Sequence, residues 1–414
     1  MVKKQNDVLK QKIELKDIKL NSILDITTAI NENLPIENLL EIYSFVLKEQ
    51  LGFNKFIIIH HSEEVWSCIL KEGFKKKLII DKLVTELKRF SDITIVDSSN
   101  NELLNYFDAI IPVIHHEKPL AYVLISRLKT KKDKELKDDH LYLSFIQTLS
   151  NIISVAIENK SILKKSLAQE AIKKELELAS EMQKLLFPSN LPSNRKMDIS
   201  AKYIPRHAIG GDYYDFIPLG DDEYILCIAD VSGKGITAAL LMANFQASIR
   251  TLFKYQRFEM AFLMEELNKK VIRSAKGEKF ITFFLAHYNA FSREMKYINA
   301  GHNQPFILHN KKTELLDVGC IGLGMLDEIP NIEVGKIKIP PKSTLLMYTD
   351  GVVEQENPKG KQFGLNRLIN AVKAYSSLSM EDMNSIIFSK LDDWKENLSY
   401  SDDTAILAVR FGNK

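Results

Sequence analysis

Apolar positions change their spacing along the chain, and each change marks a new kind of element. Between residues 8 and 30 they fall at Leu9, Ile13, Leu20, Ile23, Leu24 and Ile30 among Lys and Asp, which predicts a helix. A second helix is predicted in IENLLEIYSFVLKEQL, opening after Pro35 and stopping at Gly52. FNKFIIIH is short, apolar and β-branched and predicts a strand; AIIPVIHHEKPLAYVLISRL predicts two strands joined at HHEKP. From Ser67 to Phe90 the pattern does not decide between helix and strand. Helix, strand, hairpin and a closing helix make a small α+β unit over residues 20–155.

From Asp138 to Phe187 the chain has neither Gly nor Pro and predicts one helix, about 70 Å long at the α-helical rise. Ile172, Leu176, Ala179 and Leu186 recur at roughly heptad spacing, with Gln183 interrupting the series. This predicts a dimeric coiled coil; the competing reading is a helix packed along its own domain. Pro188 and Pro192 end the helix, so residues 156–190 read as a linker and 191–414 as a further domain. There, strands are predicted in YILCIADV, KFITFFLAHYNAF, EMKYINA, PFILHN, EVGKIKIP, STLLMYTD and TAILAVRF. Helices are predicted in ITAALLMANFQASIRTLF, EMAFLMEELNKKVIRSA, FGLNRLINAVKAY and EDMNSIIFSKLDDWKEN. Pairs of helices between strand runs, without strict βαβ alternation, imply an α+β layered fold with sheets inside and helices outside.

Bulk properties narrow the function classes. A chain of 414 residues exceeds one ordinary core. A formal net charge of +2 gives no field suited to nucleic acid. No apolar run approaches the length of a membrane helix, and the charged N-terminus lacks a signal-peptide apolar region. Cys68, Cys227 and Cys320 lie far apart and form no C-x-x-C pair. A cytoplasmic protein with reduced thiols is expected.

The chemistry concentrates in four acidic motifs: Gly210-Gly211-Asp212-Tyr213-Tyr214-Asp215, Asp230-Val231-Ser232-Gly233-Lys234-Gly235, Thr349-Asp350-Gly351 and Ser401-Asp402-Asp403-Thr404. YILCIAD and STLLMYTD each end an apolar run in Asp, and an Asp at the end of a buried strand needs a partner. Carboxylates gathered together repel unless a cation neutralises them, and an all-oxygen set favours Mg²⁺ or Mn²⁺. Taken singly, each Asp reads more simply as a turn or cap residue; the motifs carry weight only together. SGKG is not a nucleotide-binding P-loop: Gly235 stands where that motif has Ser or Thr, and Ile228 where it has its first Gly. Neither a C-x5-R loop nor a G-x-S-x-G elbow is present.

In order, GGDYYDF, ADVSGKGITAALLMA, INAGHNQP, LLMYTDGVVE and SDDTAILAVR resemble the SpoIIE/RsbU family of bacterial phosphatases, in the type 2C Ser/Thr phosphatase class. The resemblance covers about residues 175–411. It implies an α-β-β-α sandwich with two Mn²⁺ or Mg²⁺ ions held by Asp212, Asp230, the Val231 carbonyl, Asp350 and Asp402 or Asp403, with Asp402 preferred. Where the wider class has a His after the metal-binding Asp, this chain has Ser232. Where that class has a phosphate-binding Arg, this chain has Arg206 and His207. His302 and Lys234 are further candidates for acid or phosphate contacts, though Asn299 to Pro305 also reads as a structural turn. The helix ELELASEMQKLLFP resembles the family's regulatory helix, and residues 20–155 resemble a GAF sensor domain. His60-His61 and His115-His116 read as packed or exposed side chains before a metal or haem site.

These readings predict a sensor-regulated protein phosphatase. By resemblance its substrate is a STAS-domain anti-anti-sigma protein, and dimerisation runs through the linker helix. The alternatives are a phosphatase fold that binds its partner with little or no turnover, and a signalling scaffold.

Overall fold

The computed structural model describes residues 2–62, 65–74, 79–96, 103–115, 117–126, 139–220, 222–255 and 259–412. It divides into two compact units, Met1–Glu170 and Ala171–Lys414. The expected hairpin turn at His116 lies outside the described residues.

In the first unit, α1 (Val2–Asn31) and α2 (Ile36–Phe45) precede β1 (Lys55–Ser62). The segment whose pattern was undecided forms β2 (Val65–Glu72) and α3 (Ile80–Leu87). β3 (Thr94–Ile95), β4 (Ala109–His115) and β5 (Lys118–Ser126) follow, and the described strands pair antiparallel in the order β2-β1-β5-β4-β3. Alternation splits the sheet cleanly. Phe56, Ile58, Ile111 and Val123 pack with Ile26, Tyr43 and Ile146, whereas Ile57, Ile59, Ile110 and Leu124 pack with Leu83 and Leu87 of α3. Helix α4 (Asp139–Lys184) begins in this unit, and its last turns belong to the second. Among the described residues no helix is long and apolar enough to cross a membrane.

The second unit continues with β6 (Met197–Ile204), β7 (Tyr213–Gly220), β8 (Glu223–Val231), α5 (Ile236–Tyr255), α6 (Met260–Ala275), β9 (Ile281–Asn289) and β10 (Glu294–Ala300). Then come β11 (Phe306–His309), β12 (Lys312–Leu315), β13 (Gly319–Cys320), β14 (Gly335–Lys338), β15 (Thr344–Tyr348), α7 (Asp350–Val353), α8 (Leu365–Ala374), α9 (Met380–Lys395) and β16 (Thr404–Phe411). One described sheet has the order β13-β10-β9-β8-β7, with β14 on β10; the other has β12-β11-β15-β16-β6.

Period-2 alternation builds four layers from these. Cys227, Ala229, Phe283 and Leu285 face Met242, Phe245, Leu263 and Leu267 of α5 and α6. Their neighbours Leu226, Ile228, Phe284 and Ala286 face Leu345, Met347, Leu407 and Val409 of the other sheet. Leu346, Tyr348, Ile406 and Ala408 face α8 and α9. The result is the α-β-β-α sandwich that the resemblance implied.

Of the expected coiled-coil positions on α4, Ile172 and Ala179 are exposed. Gln183 and Phe187 are buried, Leu186 packs against the core beneath α5 and α6, and Leu176 is half-buried. Leu178, Met182 and Leu185, spaced i, i+4, i+7, are 63%, 67% and 76% exposed. The heptad-spaced series therefore mixes open positions with positions that pack on the domain.

Candidate metal centre

Strand ends deliver the acidic residues to one edge of the sandwich. Asp230 is the last residue but one of β8 and pairs in register with Thr282 of β9. Tyr213 opens β7 opposite Ala229, so the preceding Asp212 lies beside Asp230. Asp350 follows Thr349 at the end of β15 and opens α7. Thr349 extends the pairing with β16: its N–H donates to the Ala405 carbonyl (3.1 Å), and its hydroxyl accepts from the Ala405 N–H (2.9 Å). The same pairing carries Asp402 and Asp403, which immediately precede β16, to this edge.

Close backbone approach makes room for the cluster, and two glycines permit it. A Cβ on Gly210 would stand 2.0 Å from the Tyr203 hydroxyl and 2.3 Å from Asp403 Oδ2. One on Gly351 would stand 2.1 Å from the Asp403 carbonyl. Neither position has space for any side chain.

Electrostatics record how near the carboxylates are to one another. Burial, then the charges of Asp230 and Asp403, hold the Asp212 carboxyl well above its ordinary range; the Thr349 side chain pulls the other way. Asp230 is pushed up to about 7 by burial and then by Asp350, Asp402 and Asp403. Asp350 is pushed up to about 6 by burial, with Asp402 and Glu354 adding to it. Burial raises Asp403 as well, while the Arg206 and Gly211 amides restrain it. The Tyr203 phenol is held protonated by burial and by the charges of Asp403, Asp212, Asp230 and Asp402.

Asp402 and Asp403, adjacent in sequence, are held differently. Both Asp403 oxygens accept amides: Oδ1 from Arg206 N–H (2.8 Å) and Oδ2 from Gly211 N–H (2.6 Å). Asp402 is more exposed, and its Oδ2 pairs with Lys234 Nζ at 2.7 Å. Among the described residues, no three His, Cys, Asp or Glu side chains stand close enough together to grip an ion. The donor set still fits a hard divalent cation. It is all oxygen, neighbouring carboxylates raise the proton affinity of Asp212, Asp230 and Asp350, and Asp212 Oδ2 is buried without a hydrogen-bond partner among the described residues. A cation answers both the repulsion and the orphaned oxygen.

Other candidate residues fall into place around this core. The Val231 carbonyl faces Gly211, whose hypothetical Cβ would meet it at 3.1 Å. Ser232 extends the pairing of β8 and β9: its N–H donates to the Phe280 carbonyl and its hydroxyl accepts from the Phe280 N–H, both at 2.9 Å. Its carbonyl accepts from Lys279 Nζ at 3.0 Å. Arg206 bonds the Ser401 carbonyl through its guanidinium, and His207 is exposed beside it. His302 is buried, with both ring nitrogens engaged. Asp215, in the same motif as Asp212, turns away toward α5 and pairs with Arg250.

Sequence reasoning missed two supports. Gln183 is buried and clasps Gly210 from α4, donating through Nε2 to its carbonyl (2.7 Å) and accepting its N–H at Oε1 (3.2 Å). Its signal was in plain view: a polar residue interrupting an apolar series. Gln355, buried beyond α7, accepts the Ser401 N–H at 3.0 Å and steadies the Ser401–Asp402 turn. Nothing in its sequence surroundings marks it.

Comparison with known proteins agrees with this geometry. Residues 220–412 match the family described as Stage II sporulation protein E (SpoIIE). The chain is 28% identical over 267 residues to Protein IcfG of Synechocystis sp., a match covering 57% of this chain and 41% of that protein. It is 28% identical over 246 residues to Phosphoserine phosphatase RsbU of Bacillus subtilis, covering 58% of this chain and 72% of that one. The chain therefore spans less than half the length of IcfG. The fold is similar to the SiaA-PP2C domain of Pseudomonas aeruginosa, with a TM-score of 0.53 at 20% identity, covering 59% of this chain and 98% of that one.

Proposed function

We propose, from the premise that residues 220–412 form a domain of the SpoIIE family, that the protein is a metal-dependent Ser/Thr protein phosphatase. The observation that carries this reading is the meeting of Asp212, Asp230, Asp350, Asp402 and Asp403 at one sandwich edge, where burial and neighbouring carboxylates raise the proton affinity of Asp212, Asp230 and Asp350. Two Mn²⁺ or Mg²⁺ ions bound there would activate a water for in-line attack on the phosphorus and neutralise the phosphate oxygens. Asp230 and Asp350 are the central ligands, with Asp212 and the Val231 carbonyl beside them. Asp402, the more exposed of its pair and held by the Asp403 amide and Lys234, is the ligand, while the buried Asp403 braces the Arg206 and Gly211 amides. Lys234, tied to Asp402 at the rim, and Arg206 are the cations placed to meet the substrate phosphate.

The substrate in this reading is a phosphoserine or phosphothreonine protein, a STAS-domain protein by family resemblance. The N-terminal unit acts as a GAF-like sensor; its antiparallel sheet with helices on both faces supports that role. Leu178, Met182 and Leu185 are the surface through which a second copy would pair. A cytoplasmic setting belongs to the same proposal.

Hydrolysis of p-nitrophenyl phosphate with and without Mn²⁺ tests it, using wild type and Asp230→Asn. Hydrolysis should require the ion and be lost in the variant. Activity that survives chelation would overturn the metal mechanism.

A further inference from the structure

We propose that His302 is a positioning residue that ties β9, the strand paired with the one carrying Asp230, to the strand leading into Asp350, and that it is not the proton donor. This rests on the reading of the acidic cluster as a metal centre.

The ring bridges the two sheets at the edge where the carboxylates meet. Its Nε2 lies 3.1 Å from the Tyr348 carbonyl, at the end of β15 and two residues before Asp350. A carbonyl only accepts, so Nε2 carries the proton and donates. In the neutral ring Nδ1 is then the acceptor, and it takes the Thr282 hydroxyl at 2.9 Å. Thr282 is the register partner of Asp230. One imidazole thus spans from the neighbour of one ligand to the approach of another. Gly301, at φ +63°, makes the turn that delivers the ring. The His302 N–H donates to Asn299 Oδ1 (2.7 Å), and Asn299 Nδ2 in turn donates to the Leu316 carbonyl (3.1 Å).

A general acid needs an N–H directed at the leaving oxygen. Here the sole ring N–H is spent on a backbone carbonyl, and the residue is only 5% exposed. A hard divalent ion demands near-ideal oxygen geometry, so a loosened gap between the two sheets weakens binding before it alters chemistry.

Two measurements decide the matter. In metal-free protein, ¹⁵N NMR of the imidazole should show the Nε2–H tautomer with no titration between pH 6 and 8. An Nδ1–H tautomer, or a ring that titrates there, overturns the strap. Second, His302→Phe fills the space without bonding, and Mn²⁺ affinity, followed by the EPR signal of the free ion, should fall about tenfold. His302→Gln, which can keep one bond, should recover part of that loss. At saturating Mn²⁺ the pH profile of kcat should keep its shape. Unchanged Mn²⁺ affinity in a folded His302→Phe protein overturns the proposal. So does a kcat loss of about 100-fold at saturating metal with the alkaline limb gone, the signature of an acid. If His302→Phe does not fold, the wild-type tautomer decides. If wild type binds no Mn²⁺, the metal reading fails and the NMR result still judges the bridge.

Discussion

Asp212 and Asp215 lie three positions apart in one motif, and both are buried, at 1% and 0% exposure. Their surroundings are opposite. Asp215 accepts Arg250 Nε at 2.8 Å and Nη2 at 3.0 Å, the Phe216 N–H at 2.9 Å and the Tyr213 hydroxyl. Asp212 faces Asp230 and Asp403 and keeps one oxygen without a partner among the described residues. A buried carboxylate with every oxygen matched is structural. A buried carboxylate set against others of its own charge costs stability, and that cost marks a site built for something the protein must bind.

The comparison breaks most visibly at Asp230. Asp230→Asn should lower phosphatase activity by at least about 100-fold, because the carboxylate proposed as a central ligand is lost. The metal-free protein should melt no lower than wild type, since the substitution removes repulsion. Calorimetry and a Mn²⁺-dependent assay on the same preparation check both. A variant that loses activity by unfolding would put Asp230 in the structural class with Asp215.

Asp215→Ala should do the reverse. Truncating one partner of a fully buried ion pair costs about 3–5 kcal/mol. Arg250 is 43% exposed, so solvent screens the charge left behind and the expected loss is nearer 2 kcal/mol. Urea unfolding measures it. Mn²⁺ affinity should stay within about twofold of wild type, since Asp215 accepts from Arg250 and bonds no carboxylate of the cluster.

The two aspartates also show what was legible in the sequence. An apolar run ending in Asp fixes both a buried strand and a carboxylate at its tip, which is why Asp230 and Asp350 could be placed in the cluster. Glycine before Asp212 signalled close approach. The sandwich layers followed from long, strongly apolar strands such as β8, β9 and β16. β6, MDISAKYI, and β7, YYDFIPLG, escaped because their burial is broken by polar residues and by Pro218. The amides that hold Asp403 were not legible, because the Gly211 amide that meets it lies about 190 residues earlier in the chain. Gln183, which interrupts the apolar series on α4, has a tertiary reason too: it makes two bonds to Gly210.

That contact gives the next prediction. Gln183→Leu keeps the volume and removes both bonds to Gly210. The loop from Gly210 to Asp212 should loosen, and Mn²⁺ affinity should fall about tenfold, typical of a support one bond removed from a ligand. Amide exchange of the peptide spanning Ile209–Tyr213 should quicken in the metal-free protein. Affinity and exchange both equal to wild type would make Gln183 a packing residue only.

The smallest expected effect separates His302 from the acidic cluster by sign. Burial pushes the His302 ring down to about 4, from an ordinary 6.5, against the opposing pull of the Tyr348 carbonyl. Its folded form therefore stays neutral while the unfolded chain takes up a proton. The contribution is full above pH 6.5 and is lost as pH falls toward 4. Between pH 7 and pH 6 the loss is about 0.7 kcal/mol, and it depends almost entirely on the unfolded value because the folded ring hardly titrates there. The raised carboxylates act with the opposite sign, since protonating them in the folded state favours it as pH falls. They titrate in both wild type and His302→Phe, so subtracting the two stability profiles in metal-free protein cancels them. The difference should slope downward with falling pH by that amount. A flat difference would mean that the ring charges in the folded protein as readily as in the unfolded chain, and would overturn this assignment.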